Sequence, residues 1–75
     1  MAYHLQHEWF PILGEQVEIR ARGRTVDYGR VDSVTYDDEI LWLAAEGSST
    51  RRMIERRNQL EVWVNYKWEA PGDQP

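Results

Sequence analysis

The stretch from Val17 to Leu43 constrains this chain more than any other. Val17, Ile19 and Ala21 fall on one side of an extended backbone, and Glu18, Arg20 and Arg22 on the other. That two-residue period predicts a half-buried strand. Residues Arg22 to Tyr28 read as a loop, or as a hairpin with Gly23 at its tip. A second strand is expected from Gly29 to about Thr35. Its apolar residues, Val31 and Val34, are three apart and cannot share a face of a regular strand, so a bulge or bend is predicted near Asp32-Ser33. Tyr36-Asp-Asp-Glu39 has the composition of a turn. Ile40 to Ala45 is apolar throughout, which predicts a third strand covered on both faces.

The flanks are less regular. In residues 1–13, Tyr3, Leu5, His7 and Trp9 alternate as in a short strand, while Leu5 and Trp9 are also spaced for one helical turn. Pro11 is expected to end either element, leaving an arm whose Trp9, Phe10, Ile12 and Leu13 cover one end of the core. Residues 50–59 fit two readings. A helix capped by Thr50 would show only a thin stripe of Met53, Ile54 and Leu60. The preferred reading is a strand to about Glu55, with Arg52 and Ile54 on one face and Met53 on the other, then one turn of 3₁₀ helix through Arg57-Asn58-Gln59. Leu60 to Tyr66 reads as the last strand, and the polar tail after Trp68 as frayed.

With 75 residues and no cysteine, the chain has no disulfide framework or thiolate metal site to support it. A chain of this size buries only about 60% of its unfolded surface. Four Trp and four Tyr supply large apolar areas to a small core. No apolar run reaches the roughly 20 residues that cross a bilayer, and Met1 to Glu8 lacks the pattern of a secretion signal, so a cytoplasmic protein is expected. The net charge of −4 argues against a broad nucleic-acid surface, which calls for a basic excess.

The punctuation resembles a small β-barrel of the SH3-like or Sm-like kind over about residues 14–64. The residues that carry it are Gly14-x-x-Val17-x-Ile19, Gly23, Gly29-x-Val31-x-x-Val34, Asp38, Leu41-x-Leu43 and the short turn before Leu60–Val64. The resemblance implies an all-β fold. It would be a small, five-stranded, strongly bent antiparallel barrel (SH3-like), with an N-terminal arm over 1–13, the barrel over 14–68, a short 3₁₀ turn before the last strand, and a tail over 69–75. It implies no ligand. Glu39-Ile40 follows Asp38 where Sm-like chains carry Met-Asn, and no glycine follows Arg56 or Arg57, so the RNA-contacting residues of that family have no counterpart here. The acidic loop and Trp pair of SH3 domains are also missing. Fold alone does not fix function on so widely used a scaffold.

Candidate chemistry is sparse. Arg51, Arg52, Arg56 and Arg57 fall within seven residues, and Arg20, Arg22, Arg24 and Arg30 form a second group. Either group could bind phosphate or an acidic partner through the guanidinium fork, or form a solvated face balanced by Glu15, Glu18, Glu55 and Glu61. Trp63 is out of phase with Leu60, Val62 and Val64 and is expected to face outward, where Tyr28, Trp42 or Trp68 could join it. Such a shelf suits a subunit interface or single-stranded nucleic acid. His4 and His7 have no third ligand nearby, and Asp37-Asp38-Glu39 reads as a solvated loop, so neither a metal nor any other cofactor is expected. No phosphate loop, catalytic Ser/His/Asp set or thiol nucleophile is present. The expectation is a non-catalytic module that binds a protein partner or itself, through Arg51, Arg52, Arg56, Arg57, Trp63 and Tyr28. Nucleic-acid binding is the alternative, and a composite site between assembled copies is a minor third.

Overall fold

A computed structural model describes residues 3–65. Trp68 and the tail over 69–75 lie outside the described residues. The fold is all-β: six antiparallel strands form one sheet in the order β1-β6-β2-β3-β4-β5. These are β1 (His4–Gln6), β2 (Gln16–Ala21), β3 (Arg24–Val34), β4 (Ile40–Leu43), β5 (Arg52–Glu55) and β6 (Glu61–Val64), with 3₁₀ turns at Phe10–Ile12 and Arg56–Asn58. The sixth strand comes from the arm, where His4–Gln6 pairs with Val62–Val64. The sheet has two ends, β1 and β5, and no ladder joins them into a closed barrel among the described residues. No helix is long and apolar enough to cross a membrane among them.

The apolar face of β2 is buried at Val17 and Ile19, as read, but Glu18 between them is buried too. Of the two readings of the segment after β2, the hairpin with Gly23 at its tip is the one observed, and β3 begins at Arg24. Ala21 pairs with Arg24 across a two-residue turn, Arg22-Gly23, in which both residues have positive φ. Two left-handed residues give the turn whose twist suits a hairpin. The register shifts between Ile19 and Arg20, leaving Val26 as an extra residue on β3. A second shift lies between Val31 and Ser33, as the spacing of Val31 and Val34 demanded. Around these bulges the 11-residue β3 bends, so that its first part pairs with β2 and its last part with β4.

Two expectations need correction. Pro11 does not end the arm's structure; it lies inside the first 3₁₀ turn, near its start, where a missing N–H costs nothing. β4 is not covered equally on both faces: Leu41 and Leu43 are fully buried, whereas Ile40 and Trp42 are half-buried on the opposite face. The segment after Thr50 is the strand and 3₁₀ turn of the preferred reading, with Gln59 left-handed at its end.

The core consists of Trp9, Ile12, Val17, Ile19, Val31, Leu41, Leu43, Ile54, Val62 and Val64, with Val34 and Leu60 against it. Trp9 and Ile12 of the arm belong to it, but Phe10 and Leu13 are exposed. At Gly29 the bent strand lies close to Leu43 and Arg52. A Cβ there would come within 3.1 Å of Arg52 Nη2 and 3.3 Å of two Leu43 side-chain atoms. Gly29→Ala is expected to destabilise the fold by about 1–2 kcal/mol, because core side chains must shift to admit one methyl group. Urea unfolding checks this, and an unchanged midpoint would show that the bend has room to spare.

Candidate functional site

Of the arginines singled out in the sequence, Arg51, Arg52, Arg56 and Arg57 each find an acid, as do Arg20 and Arg30 of the second group. Arg52 leaves β5 on the side of Leu43 and Ile54 and crosses to the first half of β3. Its Nε and Nη2 donate to the two carboxylate oxygens of Asp27 at 3.0 and 3.2 Å, and Nη2 also donates to the Tyr28 carbonyl at 2.8 Å. Nη1 donates to the carbonyls of Ala44 and Thr50. The absence of a side chain at Gly29 leaves the guanidinium its path. The hydrogen bonds from Arg52 hold the Asp27 carboxyl below the usual carboxylate range, and Asp27 in turn raises Arg52.

Arg56 fastens the other side. It directly follows β5, and its guanidinium lies 4.0 Å from the centre of the buried Trp9 ring. Nε donates to the Asp38 carbonyl at 2.9 Å, and Nη2 donates to Asp38 Oδ2 at 2.8 Å and to the His7 carbonyl at 3.0 Å. His7 directly follows β1, so one side chain ties together the two strands that no ladder joins. Asp38 completes the knot. Its carboxylate accepts the Trp9 N–H at 3.1 Å and the Phe10 N–H at 2.9 Å, satisfying donors at the start of the first 3₁₀ turn. Asp38 holds a left-handed backbone, φ 65°, which aspartate tolerates better than most residues. A cavity of about 180 Å³ lies beside the knot, between Leu5, Gln6, His7 and Leu60.

Arg51 and Arg57 stay on the surface. Arg51 donates to Asp32 at 2.7 Å and to Ser33 at 3.2 Å, and lies 4.4 Å over the Trp42 ring. Arg57 donates to Glu55 at 2.9 Å and is largely exposed. Trp63 faces outward, as its phase required, but its ring is covered: Arg20 lies 4.1 Å over it, and its Nε1 donates to Glu61 at 3.1 Å. Trp63 stands opposite Glu18, and Glu18 opposite Tyr28, so the two aromatics share one face with a carboxylate between them. Tyr28 is 59% exposed. Trp42 sits apart from them on β4.

A repeated device emerges. Three tryptophans, at 9, 42 and 63, each carry an arginine on the ring, and each of those arginines also pairs with an acid: Arg56 with Asp38, Arg51 with Asp32, Arg20 with Glu18. Guanidinium suits both partners at once, since its plane stacks while its edge donates in a fork. Glu18 is the acid that sequence reasoning most misjudged. Read as a solvated balancing charge, it is only 6% exposed, and accepts from Arg20 at two 3.1 Å bonds and from the Thr25 hydroxyl. The Arg20 bonds, then that of Thr25, hold its carboxyl below the usual range. Asp37 is lowered by the Thr35 hydroxyl, followed by the Glu39 N–H, and so shapes the turn beside Asp38. Among the described residues no three His, Cys, Asp or Glu side chains form a group that could hold a metal ion; His4 and His7 are exposed. Comparison with protein-family models, curated proteins and solved structures finds no match to this chain.

Two outcomes follow. Asp38→Asn keeps an acceptor for the Trp9 and Phe10 amides and tolerates the left-handed backbone, so it should cost about 1 kcal/mol, whereas Asp38→Ala should cost about 3 kcal/mol by chemical denaturation. Equal losses would mean that the amide acceptor contributes nothing. Glu18 and Asp27 have lowered folded-state values, so their contribution to stability is complete above about pH 5 and is lost as pH falls through those values. Thermal melts should therefore fall between neutral pH and pH about 3, and Glu18→Gln should flatten part of that slope; an unchanged slope would remove Glu18 from the account.

Proposed function

We propose that this chain is a non-catalytic interaction module on a small barrel scaffold of the SH3-like or Sm-like kind, working in the cytoplasm by protein–protein binding or self-assembly. The observation that carries this reading is the end of the sheet at β5. That strand pairs only with β4 among the described residues, leaving its other side without a partner strand there, and Met53 at its centre is 45% exposed. An unpaired strand with an apolar side chain is a template for another chain.

The alternative, nucleic-acid binding through the Arg/Trp surface, draws on exposed Tyr28 and Arg57. It has less support, because Arg51, Arg52, Arg56 and Arg57 each already pair with a carboxylate, and Trp42 and Trp63 each have an arginine on the ring. Binding a phosphate chain would have to break those pairs or overcome their charge.

Sedimentation over a concentration series and titration with a labelled single-stranded oligonucleotide at two salt concentrations separate the two. The proposed reading expects a mass that rises with concentration, and no oligonucleotide complex at moderate salt. A persistent monomer that binds the oligonucleotide, with affinity falling steeply as salt rises, would overturn it.

A further inference from the structure

The open side of β5 is self-complementary, and we infer that its occupant is β5 of a second copy of this chain, paired antiparallel about Met53. The inference rests on the proposed binding role and names its partner.

The ladder determines which groups are available. Leu41 pairs with Ile54 and Leu43 with Arg52, and the Arg56 N–H donates to the Glu39 carbonyl at 2.9 Å. On β4 the Ala44 N–H turns the other way, donating to Arg30 of β3 at 2.8 Å. Backbone groups alternate sides along a strand. Residues 52, 54 and 56 therefore turn their N–H and C=O toward β4, and Met53 and Glu55 turn theirs outward, with Arg51 continuing that series.

A second copy must match outward residues to outward residues, which leaves few registers. With Met53 opposite Met53, Arg51 of each copy stands opposite Glu55 of the other. All four charges then oppose their complements, and the ladder gains about six main-chain hydrogen bonds. A shift of one step toward the C-terminus sets Arg51 opposite Arg57. A shift the other way sets Glu55 opposite Ser49 and Arg51 opposite Met53. Only the central register pairs both charges. Charged side chains on an edge usually repel a second copy; the order Arg51-Arg52-Met53-Ile54-Glu55 instead attracts one.

The face of the sheet agrees. Met53 stands opposite Trp42 on the outer face. In the central register the outer face carries Trp42, Met53, Met53 and Trp42 in one row across the two-fold axis. The exposed thioether gains a symmetric apolar partner flanked by aromatics, a contact thioethers favour. Glu55 already accepts from Arg57 at 2.9 Å, and a carboxylate has room for a second guanidinium. The pairing extends the sheet without displacing Arg52 or Arg56, whose side chains turn toward Asp27 and Asp38, whereas Arg51 turns from Asp32 toward the facing Glu55 and exchanges one carboxylate for another. A contact this short predicts a weak, concentration-dependent dimer.

Met53→Cys places one thiol on the axis of a chain that otherwise has none. Paired Cα atoms at about 5.5 Å lie within disulfide range. Mild oxidation of the Met53→Cys protein should give a disulfide-linked dimer in high yield, and Tyr36→Cys, on a turn 98% exposed, should not. Glu55→Arg should weaken sedimenting dimer about tenfold by setting Arg against Arg, and Glu55→Arg with Arg51→Glu should recover most of the loss. Thermal melts confirm that each variant is folded. Association that continues while the Met53→Cys protein fails to cross-link, or that ignores Glu55→Arg, overturns this pairing and leaves self-assembly through another surface. A monomer at every concentration also overturns it. So does a monomer whose Met53 and Glu55 amides resist exchange, because the same chain would then cover its own edge. Failure of the binding reading itself would show separately, as monomer with salt-sensitive oligonucleotide binding.

Discussion

The fold depends on the contact of Arg56 with Asp38 and Trp9. Backbone pairing arranges six strands in a row and stops, with β1 at one end and β5 at the other. A sheet that short cannot enclose a core unless it is rolled and held. Arg56 holds it, by donating to the His7 carbonyl beyond β1 and to Asp38 between β3 and β4, while its plane lies on the Trp9 ring. Asp38 has the converse part, accepting the two amides that lead the arm into its 3₁₀ turn. Trp9 is 1% exposed and is the largest side chain in the core. Its burial and the attachment of the arm are one event.

Arg52 does the corresponding work on the opposite side, four residues earlier. It pulls β5 toward the first half of β3 through Asp27 and the Tyr28 carbonyl. The bulges in β3 allow that half to curl over, and Gly29 leaves the space the guanidinium crosses. Charged groups hold the roll here because a chain without disulfides and with few core residues has limited apolar area to bury. The choice of Arg over Lys then has a mechanical reason: each site asks one side chain for a fork and, at three tryptophans, for a stacking plane as well.

Much of the scaffold could be read from local pattern. The period of Val17, Ile19 and Ala21 marked β2, the offset of Val31 and Val34 marked a bulge, and the thin stripe over 50–59 favoured strand over helix. The reading stayed open where local signals fitted two structures. Arg22 in a left-handed turn lacks the usual Asn-Gly mark, so loop and hairpin both stayed open over Arg22 to Tyr28. The arm's strand is three residues long and exists through its pairing with β6; the alternation of Tyr3, Leu5, His7 and Trp9 fitted it, but the spacing of Leu5 and Trp9 fitted a helical turn as well. The site was half legible. The arginines stood out, but their partners lie far away in sequence: 25 residues separate Arg52 from Asp27 and 18 separate Arg56 from Asp38. Nothing in Tyr36-Asp-Asp-Glu39 distinguishes the aspartate that anchors the arm from the one that shapes the turn.

If the rolled sheet is held by this clamp, the arm is an integral part of the domain and not a loose terminus. Native-state hydrogen exchange at the Trp9 and Phe10 amides tests that most directly, since both donate to the Asp38 carboxylate. The account predicts that both exchange only by near-global unfolding, in step with the amides of β2 and β6, and that Arg56→Ala releases them first. Free exchange of the two amides in the unaltered protein, while β2 and β6 remain protected, would contradict it.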